Sequence, residues 1–307
     1  MTIIIKSDKF LKVYTNKNSY IFKKACELAY NEIVDGQYGI LYDDFNPNLK
    51  LKKEWEKEIK NIKIFHVATR GKTLNMDSKI SFHKVMHESI YTPESYLKLD
   101  EIKDNKSLYF VKSDGGTGGK GVNIYNYESL MKANTNNCVI QKNINNPDLY
   151  DNKRYKIRQL VLLHNKNVYI HKYSWFSRSN INYEDISNNN LRKMHVIYQK
   201  GDTIFEVNTK LENYELIYNN IKLAVKDFKK YYLNKIDNIN DNEFVILGFD
   251  FIVDDKKNVQ IIEINHRSNY GHPKNVSDIC DVEFIKDMII LLINNKTENT
   301  NLELIVD

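Results

Sequence analysis

Short apolar runs bounded by turn residues alternate along this chain with longer stretches whose apolar positions recur every three to four residues. The first kind predicts strands over residues 2–6, 38–42 and 62–67, and the second a helix over 20–33, with a charged segment at 49–60. These make a small α/β unit. A helix over 77–86 follows, then strands over 108–112 and 122–125 joined by a glycine-rich loop. After a helix over 127–132 come strands over 139–142, 155–163 and 168–171, and then a polar, Asn-rich stretch over 177–190 that reads as a loop. A long helix over 214–233, a hairpin over 244–265 and a helix over 282–293 complete the pattern, which predicts an α+β architecture.

Composition changes this picture little. With 307 residues and 42% hydrophobic content, the chain can build one large domain or two to three small ones, each with its own core. The longest apolar run, 288–293, is too short to span a bilayer, and the first residues lack a signal-peptide apolar region, so a cytoplasmic, membrane-free monomer is expected. Cys26, Cys138 and Cys280 are odd in number and widely spaced, which indicates neither a disulfide framework nor a zinc site. The net charge of +5 is spread without a Lys/Arg block, which argues against nucleic acid and permits an acidic partner.

The first chemical signal is the loop over 112–122, where Gly116, Gly118 and Gly121 form a G-x-G-x-x-G. A dinucleotide fold needs a helix right after such a loop, whereas Val122, Ile124 and Tyr125 continue as a strand. A P-loop is excluded because Gly121 follows Lys120 where a Ser or Thr must reach the metal. A strand, a glycine loop and a strand make a flap whose bare backbone can close over phosphates, and the competing reading is a surface hairpin.

The hairpin carries the second signal. With residues 255–258 as its loop, Asp254 pairs with Val259, Asp250 lies opposite Glu263, and Asn265 shares the face of Glu263. Two facing carboxylates in an apolar sheet repel unless a cation lies between them, and Asp, Glu and Asn oxygens suit magnesium and not zinc. A polar strip on an edge hairpin is the competing reading.

Two basic segments add to this. Alternation along a strand places Arg154, Lys156 and Arg158 on one face, where an anion such as a triphosphate would offset their repulsion. Gln141 and Lys142 end a short apolar strand that can offer polar groups to an adenine edge.

In this order the segments resemble the ATP-grasp fold, and more narrowly the tubulin–tyrosine ligase family, over most of residues 60–270. Val111-Lys112-Ser113 with the glycine loop resembles the family's phosphate-binding lysine and flap. Val139-Ile140-Gln141-Lys142 with Asn146-Pro147-Asp148-Leu149 resembles its adenine hinge, and Arg154-Tyr155-Lys156-Ile157-Arg158 its K-F-D-I-R strand. The hairpin from Leu247-Gly248-Phe249-Asp250-Phe251 to Ile262-Glu263-Ile264-Asn265 resembles its magnesium site, and Arg70-Gly71 with Lys79 its entry to the nucleotide domain. Lys156 stands where the family has an acidic residue, Met194-His195 where it has Thr-Asn, and Arg178 lies about one residue out of the spacing of a family arginine.

The resemblance implies an ATP-grasp fold with an N-terminal α/β domain (1–72), a central lobe with the flap (73–141) and a C-terminal lobe with the hairpin (142–307). It implies an ATP- and Mg2+-dependent ligase that joins a free amino acid to acidic C-terminal tails of tubulin through an acyl-phosphate. In that reading Lys79, Lys112, Gly116, Gly118, Gly119, Gly121, Gln141, Lys142, Arg154, Lys156 and His195 bind nucleotide. Asp250, Glu263 and Asn265 hold two magnesium ions, and Arg158 and Arg178 stabilise the reacting groups. Ligation to a small peptide or another protein, and an ATP-binding module that has lost catalysis, are the alternatives.

Overall fold

The computed structural model describes residues 1–6, 9–43, 47–115, 121–183, 203–236, 239–266, 270 and 272–306. Two sheets organise them. The larger has twelve strands, with β1 (Thr2–Lys6), β2 (Phe10–Thr15), β3 (Gln37–Tyr42) and β4 (Lys63–Val67) at one end. Strand β4 pairs in parallel with β14 (Glu243–Val253), so the N-terminal strands run without a break into the C-terminal ones. The smaller sheet is antiparallel, in the order β5 (Ser95–Tyr96), β8 (Cys138–Lys142), β6 (Tyr109–Ser113), β7 (Val122–Tyr125).

Strand β14 is buried at all eleven positions, which explains its near-continuous apolar run. It lies between β10 (Lys153–His164) and β15 (Val259–Asn265); β10 also pairs with β9 (Leu149–Tyr150), β11 (Asn167–His171) and β12 (Trp175–Ser179). Strand β13 (Thr203–Val207) pairs with β12, and β16 (Leu302–Leu304) with β11.

Helices cover both faces of this sheet. On one, α1 (Ser19–Tyr30) and α6 (Val282–Asn294) close a core with Leu160, Leu162, Phe244 and Ile246. On the other, α5 (Tyr214–Tyr232) buries Ile217, Ile221, Ala224, Val225, Phe228 and Tyr232 against Val161, Leu163 and Phe249. Those positions recur at three- and four-residue spacing, so one stripe of the helix meets the sheet. Helix α2 (Leu49–Glu58) flanks the N-terminal strands through Trp55. Helix α3 (Lys79–Met86) starts at Ser78, whose Oγ accepts a hydrogen bond from Ser81 N, and α4 (Tyr127–Leu130) follows β7.

Strands β2, β5, β9, β12, β13 and β16 are absent from the sequence reading. Ser177 to Ser179, expected in a loop, end strand β12, and the rest of that expected loop from 184 onward lies outside the described residues. The polar look of Trp-Phe-Ser-Arg-Ser has a physical cause: Ser177 lies opposite Lys156, on the face that carries the cations of β10.

Candidate functional site

A single row of side chains crosses the large sheet. Trp175 on β12 pairs with Arg158 on β10, Arg158 with Asp250 on β14, and Asp250 with Glu263 on β15. Residues directly opposite on an antiparallel ladder share a face, so all four project to one side. Arg154, Lys156 and Arg158 share that face by alternation along β10, at the end where α1 and α6 no longer cover it.

The hairpin reaches this arrangement by a different register from the expected one. Val253, and not Asp254, pairs with Val259, so the loop is longer by one residue. A bulge between Asp250 and Phe251 then leaves Ile262 without an opposite residue and restores Glu263 to Asp250; Asn265 pairs with Gly248. Two offsets cancel, and the freed Ile262 carbonyl accepts a hydrogen bond from Lys112 Nζ at 3.2 Å.

Protein cations offset the charge of Asp250. Arg158 donates from Nε to Asp250 Oδ1 and from Nη2 to Oδ2 (3.0 Å), and Lys156 Nζ donates to Oδ2 at 3.0 Å. The Asp250 side chain is 2% exposed. Burial works against its charge, but Arg158 and Lys156 outweigh that and hold its pKa well below the usual carboxylate range. Burial likewise opposes the Arg158 charge, and Asp250 raises its pKa nonetheless. Glu263 Oε1 lies 3.6 Å from Lys79 Nζ, and Asn265 Nδ2 reaches the Gly248 carbonyl at 3.5 Å, which leaves its amide oxygen for another partner.

The smaller sheet closes the other side. Phe110 and Lys112 on β6 and Val139 and Gln141 on β8 share its cleft face, and Lys112 Nζ donates to Gln141 Oε1 at 2.6 Å. Burial, with lesser effects from Lys79 and Lys156 and against the pull of Glu263, lowers the Lys112 pKa to about 8. Lys112, Val139 and Gln141, with Lys79, Phe82, Met86, Pro93 and Ile262 among others, line a cleft of about 330 Å³ between the two sheets. Asp114, at the foot of the glycine loop, accepts from Ser78 Oγ (2.8 Å) and Ile80 N (3.0 Å), which ties the loop to the helix that carries Lys79. Gly121 closes the loop at φ 76°, a value that favours glycine, and its carbonyl accepts from Ser113 N at 2.9 Å.

Other expected residues fall elsewhere. Lys142 pairs with Tyr109 and faces away from the cleft, where it forms ion pairs with Glu94 (3.1 Å) and Asp104 (2.8 Å). Arg178 pairs with Tyr155, one residue out of phase with Ser177, so it lies on the reverse face from Arg158, over the Tyr150 ring and 3.6 Å from Asp151. Arg154 is buried, donates to Asn143 Oδ1 at 3.0 Å, and has its pKa lowered by burial to about 10. Gly116, Gly118, Gly119 and His195 lie outside the described residues.

Several residues of the site were missed from sequence. The Arg158 guanidinium lies over the Trp175 ring at 5.4 Å, the His272 ring meets Trp175 at 4.3 Å with a tilt of 51°, and His272 Nδ1 lies 2.8 Å from Asp281 Oδ2. A second cleft, of about 350 Å³, opens beside Asn265 between Tyr42, Val67, Thr73, Phe244 and His266. His266 Nδ1 lies 3.4 Å from Asp77 Oδ1. Its place one residue after Asn265 was the only local signal of a role.

A small glycine-loop sheet set over a large mixed sheet, with a lysine bridging the two, defines an ATP-grasp protein. In agreement, the C-terminal domain of Pby1 from K. lactis, an ATP-grasp enzyme interacting with the mRNA decapping enzyme Dcp2, matches with a TM-score of 0.65 over 97% of this chain and 98% of that one, at 14% identity. The tubulin-tyrosine ligase family model matches residues 47–239, and the chain belongs to that family. No curated protein matches it. Family and fold together support an ATP-dependent ligase of the superfamily. Among the described residues no helix is long and apolar enough to cross a membrane, and no three His, Cys, Asp or Glu side chains converge on one point.

Proposed function

We propose that this chain is an ATP- and Mg2+-dependent carboxylate–amine ligase that joins a free amino acid to an acidic protein tail of the tubulin type. The observation that carries the reading is the position of Lys112, which contacts Gln141 on its own sheet and the Ile262 carbonyl beside Glu263 on the other. A polyanion in the cleft meets Lys112 and Lys79 from one side and Arg158 and Lys156 from the other.

In this reaction a carboxylate oxygen attacks the γ-phosphorus of ATP and ADP departs; an amine then attacks the acyl carbon and releases phosphate. Lys112 and Lys79 orient the phosphates, and Gln141 lines the cleft where a base would enter. Arg158, held by Asp250 and lying over the Trp175 ring, is a fixed positive charge beside the oxygen that becomes negative as the amine adds. Glu263 and the Asn265 amide oxygen suit a hard divalent cation, which when bound would neutralise phosphate charge.

The test is incubation with ATP, radiolabelled Tyr, Glu or Gly, and tubulin. Label on tubulin in one of the three supports the reading; label in none, with acceptor-dependent ADP release, moves the acceptor to a small peptide or another protein. A second reading, an ATP-binding protein without catalysis, draws on the engagement of both Asp250 oxygens by Arg158 and Lys156. ADP release that depends on an acceptor and is abolished by Glu263→Gln would exclude it.

A further inference from the structure

We infer that Lys156 takes the place of one divalent cation, so that this site binds a single metal ion with its nucleotide. The inference rests on the nucleotide reading above. It starts from Asp250, whose oxygens are both in use: Oδ1 accepts from Arg158 Nε, and Oδ2 accepts from Arg158 Nη2 and Lys156 Nζ, each at 3.0 Å. A carboxylate offers about four lone-pair directions, and three are filled by charged donors. A metal ion bound through Asp250 would then have an ammonium and a guanidinium as close neighbours on the same carboxylate, and in a site 2% exposed that repulsion is weakly screened.

The other two oxygen donors are differently placed. Glu263 is 28% exposed and its nearest cation, Lys79, is 3.6 Å away, longer than a hydrogen bond. The Asn265 amide group donates to Gly248, which turns no proton toward its own oxygen. Glu263 and Asn265 are therefore able to hold one ion that arrives on the phosphates, while the position beside Asp250 already carries a positive charge. That charge is covalently part of the chain, so it needs no free metal and no release of water from an ion.

Lys156 can fill this role because of its place in the row. It lies one pleat from Arg158 on the same face of β10 and opposite Ser177, with its side chain 21% exposed, so its stem is buried and its ammonium reaches the cleft.

The experiment is a count of bound Mn2+ per bound nucleotide, by equilibrium dialysis with electron paramagnetic resonance of the free ion, using a non-hydrolysable ATP analogue. The wild type should bind one Mn2+ per analogue, and Lys156→Gln, which removes the ammonium from Asp250 Oδ2 and leaves only Arg158 on it, should bind two. Lys156→Met, with a side chain of similar length and no donor, is the second variant and should also bind two; circular dichroism confirms that each is folded. Two ions in the wild type, or one in both folded variants, overturn the inference and leave the nucleotide reading standing. No analogue bound to the wild type overturns both.

Discussion

Arg158 spans both oxygens of Asp250 across the ladder between β10 and β14, inside a strand that is buried at every position. A buried pair of this kind contributes little net stability when intact, yet removing one member strands the other. Asp250→Ala should therefore cost about 3–5 kcal/mol in chemical denaturation. Arg158→Met combined with Asp250→Leu should cost less than Asp250→Ala alone, and the reverse order would show that the pair is not the source of the loss.

Lys112 gives the site a pH dependence. Its pKa, lowered from 10.5 to about 8 chiefly by burial, means that the nucleotide-free protein loses this proton as pH rises through 8. Phosphate favours the charged amine, so nucleotide affinity should fall as pH rises above about 8, and binding there should take up a proton. Calorimetry in two buffers of different ionisation heat measures the uptake. The folding linkage has the opposite sense: the unfolded chain holds this proton more tightly, so the Lys112 contribution to stability rises from about pH 8 to 10.5 and is at its worst below pH 8.

The bulge at Ile262 should be separable from the fold. Deleting Ile262 leaves Asp250 opposite Glu263, but removes the carbonyl that Lys112 donates to and one wall of the cleft. Far-UV circular dichroism should be unchanged, and analogue affinity should fall by about tenfold or more, the effect of losing roughly 1.4 kcal/mol of contacts. Unaltered affinity would remove Ile262 from the site.

Gln141 and Lys142 offer a paired comparison. Gln141→Ala should weaken nucleotide binding by about fivefold, since an amide at the cleft wall contributes on the order of 1 kcal/mol. Lys142→Ala should leave affinity unchanged and shift the melting temperature only slightly, because its partners Glu94 and Asp104 lie on the far face of the small sheet. Loss of affinity in Lys142→Ala would contradict the placement.

What was legible in the sequence was local. Apart from α2, which read only as a charged segment, the helices, the flap strands and the hairpin follow from periodicity, and Asp250 facing Glu263 followed from a turn assignment that was one residue off and was offset by an unforeseen bulge. Alternation was also enough to see that Gln141 and Lys142 face opposite ways, although the resemblance to a known hinge drew them together. The rest depended on distant pairing. Trp175 meets Arg158 only because a polar strand joins the sheet, and Arg178 falls on the reverse face because β12 is one residue out of phase. Neither the cations at Asp250 nor the Asp114 tie to α3 has a signature within its own segment.

The contacts of Lys112 also set how strongly anything can bind. Two of its three ammonium protons are held by the Gln141 amide and the Ile262 carbonyl, so the amine is already fixed in place with a proton left to donate to an incoming phosphate. Binding then costs little ordering of that side chain, because the neighbours that fix it in the free protein hold it in the same place when phosphate arrives.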